Sequence, residues 1–506
     1  MTEVRLHMEG NRHHSMRLRV QRWKRWNYVL TCFGAALVAL WLTLGDLQQL
    51  NDADAIVPTL TSLYRWTWFY WGQNRFGMLT ALLAMPIHHP LINLLFQNWM
   101  VSFCGLMVFP LAHAYFLGWR TASLSAVAGA GVFLLAGPDA WHKHYLLASQ
   151  PYAVSGCLGL LGLMALGSES RSRFRVAIRW IVAAFLIFLA FWVSLAAVFF
   201  IAPLHIMYSF LCRTERRVQH LLRGLSIITL AAIANWVITV NYTYGGNFGW
   251  AKLSAMPRNC GLLLRNVYNS IPPAFLLSIL CLAVAGAIGF RVGLRSERRR
   301  AVLWGCMTCI LAAIFYFIVA AASDHIRENG FPSRYAIPSI ILLMTSMAMF
   351  ASLAAERIPA HWRGKLGGVL LMTVIVGVTL RNGFPSYGRV RRIVEERFGG
   401  FTRELYDHRC THVLGNYWDV WETVFHANLT NYESGSRLVI WGITGRSQVT
   451  RDLWYPSLDG GRVAVPRTAN SLKDWKNEAS IAYIPGLKLF RESTRIRVYV
   501  VTPRDD

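Results

Sequence analysis

The sequence predicts an α-helical polytopic membrane protein of about eleven transmembrane helices, followed by a small C-terminal α/β extracytoplasmic domain. Three observations predict it. The 506 residues are 54% hydrophobic and only 15% charged, against roughly 45–50% and a quarter in soluble domains. Apolar runs of roughly 17–22 residues recur over most of the chain before residue 381, the length a helix needs to cross about 30 Å of hydrocarbon. Lys and Arg are dense in the short segments on one side of these runs and sparse in the long loops on the other.

Residues 1–26 form a basic cytoplasmic N-terminus. Arg17, Arg19, Arg22, Lys24 and Arg25 directly precede the first run, at 27–45. That run has no small-residue cleavage site behind it and reads as a signal anchor. Further spans are expected near 98–118, 121–137, 151–167, 177–194, 195–212, 224–242, 272–290, 302–322, 336–354 and 366–380, so that 27–380 is the transmembrane domain. An odd number of spans sends the C-terminus to the far side.

The charges test this independently. Cytoplasmic segments hold clusters such as Arg213, Arg216 and Arg217, and Arg298, Arg299 and Arg300. The longer extracytoplasmic loops at 46–95, 138–150, 243–271 and 323–335 hold only Arg65, Arg75, Lys143, Lys252, Arg258, Arg265, Arg327 and Arg334. The positive-inside rule therefore agrees with the span count. The pair at 177–212 must be a tight hairpin; one long tilted helix there would invert everything after it.

From Arg381 the character changes. Mixed charge, β-prone strings at Arg437–Trp441 and Arg495–Val501, and helical periodicity near Asn416–Ala427 describe a soluble extracytoplasmic domain over 381–506. There is no internal repeat, and no symmetry between halves of the kind that marks many transporters. The net charge of +25 punctuates apolar runs instead of gathering on a soluble face, which points away from nucleic acid and toward topology. Of nine cysteines, seven fall in or beside apolar runs as small packing residues. Cys260 and Cys410 alone face the oxidising side, and their pairing stays open.

The unusual residues lie in the extracytoplasmic loops. The first loop is about fifty residues long, far more than a connection needs. It opens with Asn51-Asp52-Ala53-Asp54 close to the end of the first span and continues into an aromatic block, Tyr64 to Gly77, suited to a helix lying in the membrane interface. Asp often only caps a helix, but the other loops offer cations and donors: His142, Lys143 and His144; Lys252 and Arg258; His325, Arg327, Arg334 and Tyr335. Carboxylates facing such a ring suit an acidic base acting on a substrate whose leaving group is a phosphate. Taken singly, each cation reads as a headgroup anchor or helix cap.

These residues carry a resemblance. Many spans, a cytoplasmic N-terminus, aspartates just after the first span and a soluble domain after the last resemble the GT-C class of lipid-dependent membrane glycosyltransferases. The likeness spans essentially the whole chain in architecture. In sequence it rests on Asp52-Ala53-Asp54, Asn74-Arg75-Phe76-Gly77, Arg334-Tyr335 and Gly415-Asn416-Tyr417-Trp418. The protein-mannosyltransferase branch typically has an Asp-Glu pair at this place, whereas here Asp54 is followed by Ala55; branch, sugar and acceptor stay open.

The resemblance implies a polyprenyl-phosphate sugar donor, a lipid-linked or cell-envelope glycan acceptor, and a bacterial inner-membrane location with the site on the extracytoplasmic side. Asp54, or alternatively Asp52, would be the general base of an inverting transfer. Arg75, Arg334, Tyr335, His142, Lys143, Lys252, Arg258, Arg327 and His325 would bind donor phosphate and substrate. No cofactor is fixed by these residues. A divalent ion such as Mg or Mn stays open, since Asp52, Asp54, Asp324, His142, His144 and His325 offer ligands, yet no spacing among them matches a recognised motif.

Three other readings are weighed. A transporter would place charges and broken helices near the bilayer midplane, and the spans are nearly free of Asp, Glu, Lys and Arg. A glycan polymerase or ligase would share the lipid-linked sugar and the loop arginines but would not need the aspartates. A scaffold would transfer nothing.

Overall fold

The computed structural model describes residues 28–501 apart from 46–52, 72, 74–75, 120–121, 148–150, 168–171, 212–216, 243–248, 292–295, 446, 459, 483 and 485. The helices in chain order are α1 (Tyr28–Gly45), α2 (Ala53–Leu63), α3 (Leu79–Ala84), α4 (Pro90–Leu117), α5 (Ala122–Ala136), α6 (Asp139–Leu146), α7 (Tyr152–Gly167), α8 (Arg173–Val193), α9 (Val198–Leu211), α10 (Arg217–Val240), α11 (Met256–Ser270), α12 (Pro273–Arg291), α13 (Ser296–Ala322), α14 (Asp324–Glu328), α15 (Ile337–Ala355), α16 (Ala360–Asn382), α17 (Tyr387–Asp407), α18 (Tyr417–Glu433), α19 (Arg451–Trp454) and α20 (Ala469–Ile481). Apolar helices stand at all eleven expected spans. Eight helical segments are long and apolar enough to cross a membrane, and α5, α7 and α9 are shorter apolar helices packed among them. The chain is a multi-pass membrane protein.

The hairpin at 177–212 is present. Ser194 is extended, with φ −156° and ψ 113°, and breaks the helix between α8 and α9. Asn235 of α10 donates to the Phe191 carbonyl at 2.7 Å, whereas Arg223 lies over Trp180 at 4.8 Å and Ser209 meets His220 at 3.2 Å. The C-terminal end of α9 is therefore level with the start of α8, so the two helices run in opposite directions. Close approaches in the bundle rest on glycine: a Cβ on Gly289 of α12 would stand 2.3 Å from the Ala354 nitrogen of α15, the small-residue contact common between membrane helices.

Helix α4 has 28 residues, about 42 Å at 1.5 Å each, more than the hydrocarbon needs. Its first turns stand clear of the bundle, and Leu91 and Leu94 join a second core with Ile56, Val57 and Leu60 of α2. That core is shared with Val394 and Phe398 of α17, Trp421 and Phe425 of α18, and one face of a five-stranded sheet. The first loop and the region after residue 381 thus fold around one set of apolar side chains. The strands are β1 (His412–Leu414), β2 (Trp441–Ile443), β3 (Arg462–Pro466), β4 (Leu487–Glu492) and β5 (Ile496–Val501), in the order β2-β1-β3-β5-β4. β1 pairs in parallel with β2 and β3, and β5 runs antiparallel to β3 and β4. Alternation along the strands sends Val413, Ala464 and Val498 to the shared core, and Leu414, Val463, Val465 and Tyr499 to a third core under α20.

Two local expectations change. Of the string Arg437–Trp441 only Trp441 enters a strand. Asn428 both donates to the Ile440 carbonyl and accepts from its nitrogen, at 2.8 and 2.9 Å, and Asn431 donates to the Leu438 carbonyl; side chains of α18 satisfy the backbone that a neighbouring strand would otherwise pair. The described part of the aromatic block forms no helix. Tyr70 is bonded through its backbone to Phe76, Trp66 donates its indole N–H to the Met78 carbonyl at 3.1 Å, and the indole of Trp192 donates to Trp68 at 3.0 Å, which pins an irregular loop against the turn between α8 and α9.

Candidate active site

Asp54 is the second residue of α2, where a carboxylate faces the positive end of the helix. Its Oδ1 accepts a hydrogen bond from the Tyr417 hydroxyl at 2.8 Å and from the Tyr70 hydroxyl at 3.2 Å. The two hydroxyls also meet each other. Tyr70 comes from the aromatic block and is buried, while Tyr417 is the first residue of α18. Trp71 and Trp421 pack with ring centroids 5.6 Å apart, so the segments carrying the two tyrosines are also joined through their neighbours. The carboxylate is half-buried between the first loop and the C-terminal domain.

A cationic cluster lies at the same end of the bundle. α6 packs against the short 3-10 turn Ser333–Ala336, and Trp141 donates to Ser333 at 3.3 Å. This brings His144 and Lys143 beside Arg334. Burial, reinforced by the charges of Arg334 and Lys143, pushes the His144 imidazole down to about 4, so it is neutral at neutral pH. The Arg334 guanidinium lies 5.2 Å over the Tyr335 ring. Its Nε, and the Nδ1 of His144, are buried with no hydrogen-bond partner among the described residues. Tyr335 meets His325 Nε2 at 3.2 Å. The cluster has two buried, unsatisfied nitrogens and a guanidinium with no carboxylate partner among the described residues, which is the chemistry of an anion site.

The other predicted residues are placed differently. Asp52 and Arg75 lie outside the described residues. His142 is turned away from the cluster: its Nε2 donates to the Phe133 carbonyl at 2.6 Å, and burial lowers its pKa to about 4. Lys252, Arg258 and Arg327 are exposed; Arg327 pairs with Asp324 at 3.0 Å. Lys252 precedes α11 and Arg258 lies in its first turn. α11 is amphipathic, burying Asn259, Leu263 and Val267, so these two cations belong to an interfacial surface. Arg334 makes no hydrogen bond or ion pair with Asp54, and the two lie in separate clusters.

Among the described residues the candidate metal ligands do not converge. Asp54 is held by tyrosines, Asp324 by Arg327, His325 by Tyr335, and His142 by a carbonyl. Among the described residues no group of three His, Cys, Asp or Glu side chains is placed to hold an ion. Cys260 and Cys410 are free thiols; Cys410 is buried in the domain, where burial raises its pKa to about 12.

Neither tyrosine was singled out from sequence. Tyr417 stands inside the motif Gly415-Asn416-Tyr417-Trp418 and Tyr70 inside the aromatic block, but only the fold reveals that both hydroxyls reach one carboxylate.

Fold and site together define a multi-pass helical membrane protein whose long loops and α/β domain build a polar site at one end of the bundle. No protein-family model matches the sequence, and no curated protein matches it. Solved structures similar to the chain include ArnT from Cupriavidus metallidurans in the apo state, at 10% identity over 94% of this chain and 97% of that one, with a TM-score of 0.38. ArnT bound to undecaprenyl phosphate gives 11% identity over 94% and 98%, with a TM-score of 0.38. The apo oligosaccharyltransferase of Archaeoglobus fulgidus gives 11% identity over 96% and 75%, with a TM-score of 0.41.

Proposed function

We propose that the protein is an integral membrane glycosyltransferase of the GT-C class. It moves a sugar from a polyprenyl-phosphate donor to a lipid-linked or cell-envelope glycan on the extracytoplasmic side of a bacterial inner membrane. The observation that carries the reading is the Asp54 carboxylate, just beyond the first span, oriented by two tyrosine hydroxyls at the end of the bundle where a cationic cluster keeps unsatisfied nitrogens.

The donor lipid enters from the bilayer with its sugar at the outer surface. The acceptor hydroxyl oxygen attacks the anomeric carbon and gives its proton to the Asp54 carboxylate. The bond from that carbon to the phosphate oxygen breaks, and its electron pair leaves with the polyprenyl phosphate. The displacement inverts the anomeric centre. The leaving phosphate is a weak base and needs no acid to protonate it, unlike the leaving oxygen of a hydrolysed glycoside. Arg334 and Lys143 stabilise its charge, with neutral His144 as a hydrogen-bonding neighbour.

The test is sugar transfer by purified protein given a panel of polyprenyl-phosphate sugars and lipid-linked acceptors, read as mass gain of the acceptor. Asp54→Asn keeps the size and an oxygen for the tyrosines while removing the basic lone pair and charge; transfer should fall by roughly two to four decades. Donor binding, which rests on lipid and phosphate, should survive. Asp52→Asn should be milder. Severe loss in Asp52→Asn with normal transfer in Asp54→Asn would move the base to Asp52. Full activity in both would end the mechanism and leave a polymerase, ligase or transporter to be tested.

A further inference from the structure

We infer that Tyr417 is a positioning residue for Asp54, so that the C-terminal domain completes the transfer site. The inference rests on the reading of Asp54 as the base.

Tyr417 lies 363 residues beyond Asp54 in sequence, yet its hydroxyl is the nearer of the two tyrosine donors to that carboxylate. Its placement is fixed from within the domain. α18 follows β1 on one face of the sheet and α20 follows β3 on the other, so the carboxyl ends of these adjacent strands form a topological switch point, where open α/β sheets usually keep a crevice for ligands. Here the chain's own side chains fill it. Asp419, in the first turn of α18, accepts from Ser471 at 2.8 Å and from Thr468. Asn416 donates its amide side chain to Asp474 at 3.1 Å and its backbone nitrogen to Ser471 at 3.0 Å, and caps α18 by accepting from Trp418. Gly415 has φ 154°, and a Cβ there would stand 2.7 Å from the Ser471 hydroxyl. The crevice is spent on locking the first turn of α18, and what that turn presents is the Tyr417 hydroxyl.

A carboxylate on a single helical turn can rotate about its side-chain bonds. Two hydroxyls on one oxygen, arriving from separate segments, remove that freedom and aim the carboxylate. The tyrosine on the first loop supplies one restraint; the domain supplies the other. With the domain seated, the Tyr417 hydroxyl adds its restraint on the Asp54 carboxylate to that of Tyr70.

The experiment uses the full chain in nanodiscs. Tyr417→Phe keeps the ring, with its edge contact to Trp418, and removes only the hydroxyl. Loss of one hydrogen bond to a charged group should lower kcat about 10-fold with donor KM unchanged, and Tyr70→Phe with Tyr417→Phe should lower it about 100-fold. In an Asp54→Asn background, Tyr417→Phe should add almost nothing, because the group it aims no longer acts. Asp54→Asn inactive with Tyr417→Phe at wild-type kcat overturns the inference and leaves the base assignment standing. The same fold loss in both backgrounds marks Tyr417 as structural and also overturns it. Full activity of Asp54→Asn overturns both.

Discussion

Arg334 offers a test in which stability and activity should move in opposite directions. Its guanidinium is half-buried beside Lys143 and His144, and its Nε has no partner among the described residues. A buried donor left unsatisfied costs about 1–3 kcal/mol, offset by about 0.5–1 kcal/mol from the contact with the Tyr335 ring. Arg334→Met keeps the length of the side chain and removes the charge and the unsatisfied nitrogen, so the resting protein should gain about 1 kcal/mol. If the guanidinium is held in reserve for the donor phosphate, the same change should lower turnover by roughly two to three decades, the cost of losing one donor at a developing charge. Arg334→Lys should recover only part of it, because the planar fork is lost. Thermal unfolding in detergent and mass-detected transfer on one preparation measure both quantities. A variant that unfolds earlier yet keeps wild-type turnover would make Arg334 a structural anchor and remove it from the site.

Two further outcomes are expected. A periplasmic reporter fused after Arg381 should be active only outside the cytoplasm and one fused near Arg298 should be inactive there; a cytoplasmic C-terminus would overturn the proposed sidedness and the site with it. His412 in β1 is buried against the Trp454 carbonyl, and burial pushes its pKa down to about 4. The unfolded chain therefore binds this proton from about pH 6.5 downward while the folded one does not, so stability should fall as pH drops through that window. The slope at its steepest is about 1.4 kcal/mol per pH unit. His412→Gln should lessen the dependence of the unfolding temperature between pH 6.5 and 4.5, and an unchanged slope would refute the assignment.

The spans were legible because the hydrocarbon thickness sets a length and composition that eleven runs satisfy without reference to one another. Even the hairpin at Ser194 could be argued from charge alone. What the sequence hid were consequences of packing between distant segments. α4 begins at Pro90, ahead of the expected span at 98–118; Asn93 and Gln97 in these early turns are buried, and Asn93 is bonded to Ser62 at 2.6 Å. In the sequence the cations look like one ring, because one-dimensional proximity to the membrane is shared by all of them. The helix α6 does pack on the turn that holds Arg334, which puts His144 within reach of its charge, whereas Lys252 and Arg258 fall on the exposed side of an amphipathic helix and His142 is claimed by a backbone carbonyl. Asp54 could be singled out by type and place, but nothing near it in the chain announces Tyr417.

The core shared by α2, the start of α4 and the C-terminal domain also sets an order of assembly. Ile56, Val57 and Leu60 leave the ribosome about 350 residues ahead of the α18 side chains that cover them. At roughly 5–20 residues per second that is a delay of roughly 20–70 s. Closing so long a loop adds little to its entropic cost, which rises only with the logarithm of length. The delay instead leaves an apolar face waiting at the membrane surface while the later spans insert. A nascent chain stalled after α16 would have the helices up to that point and the Asp54 carboxylate but no cover over that face, so the later arrival of α18 both completes this core and protects the first loop against aggregation.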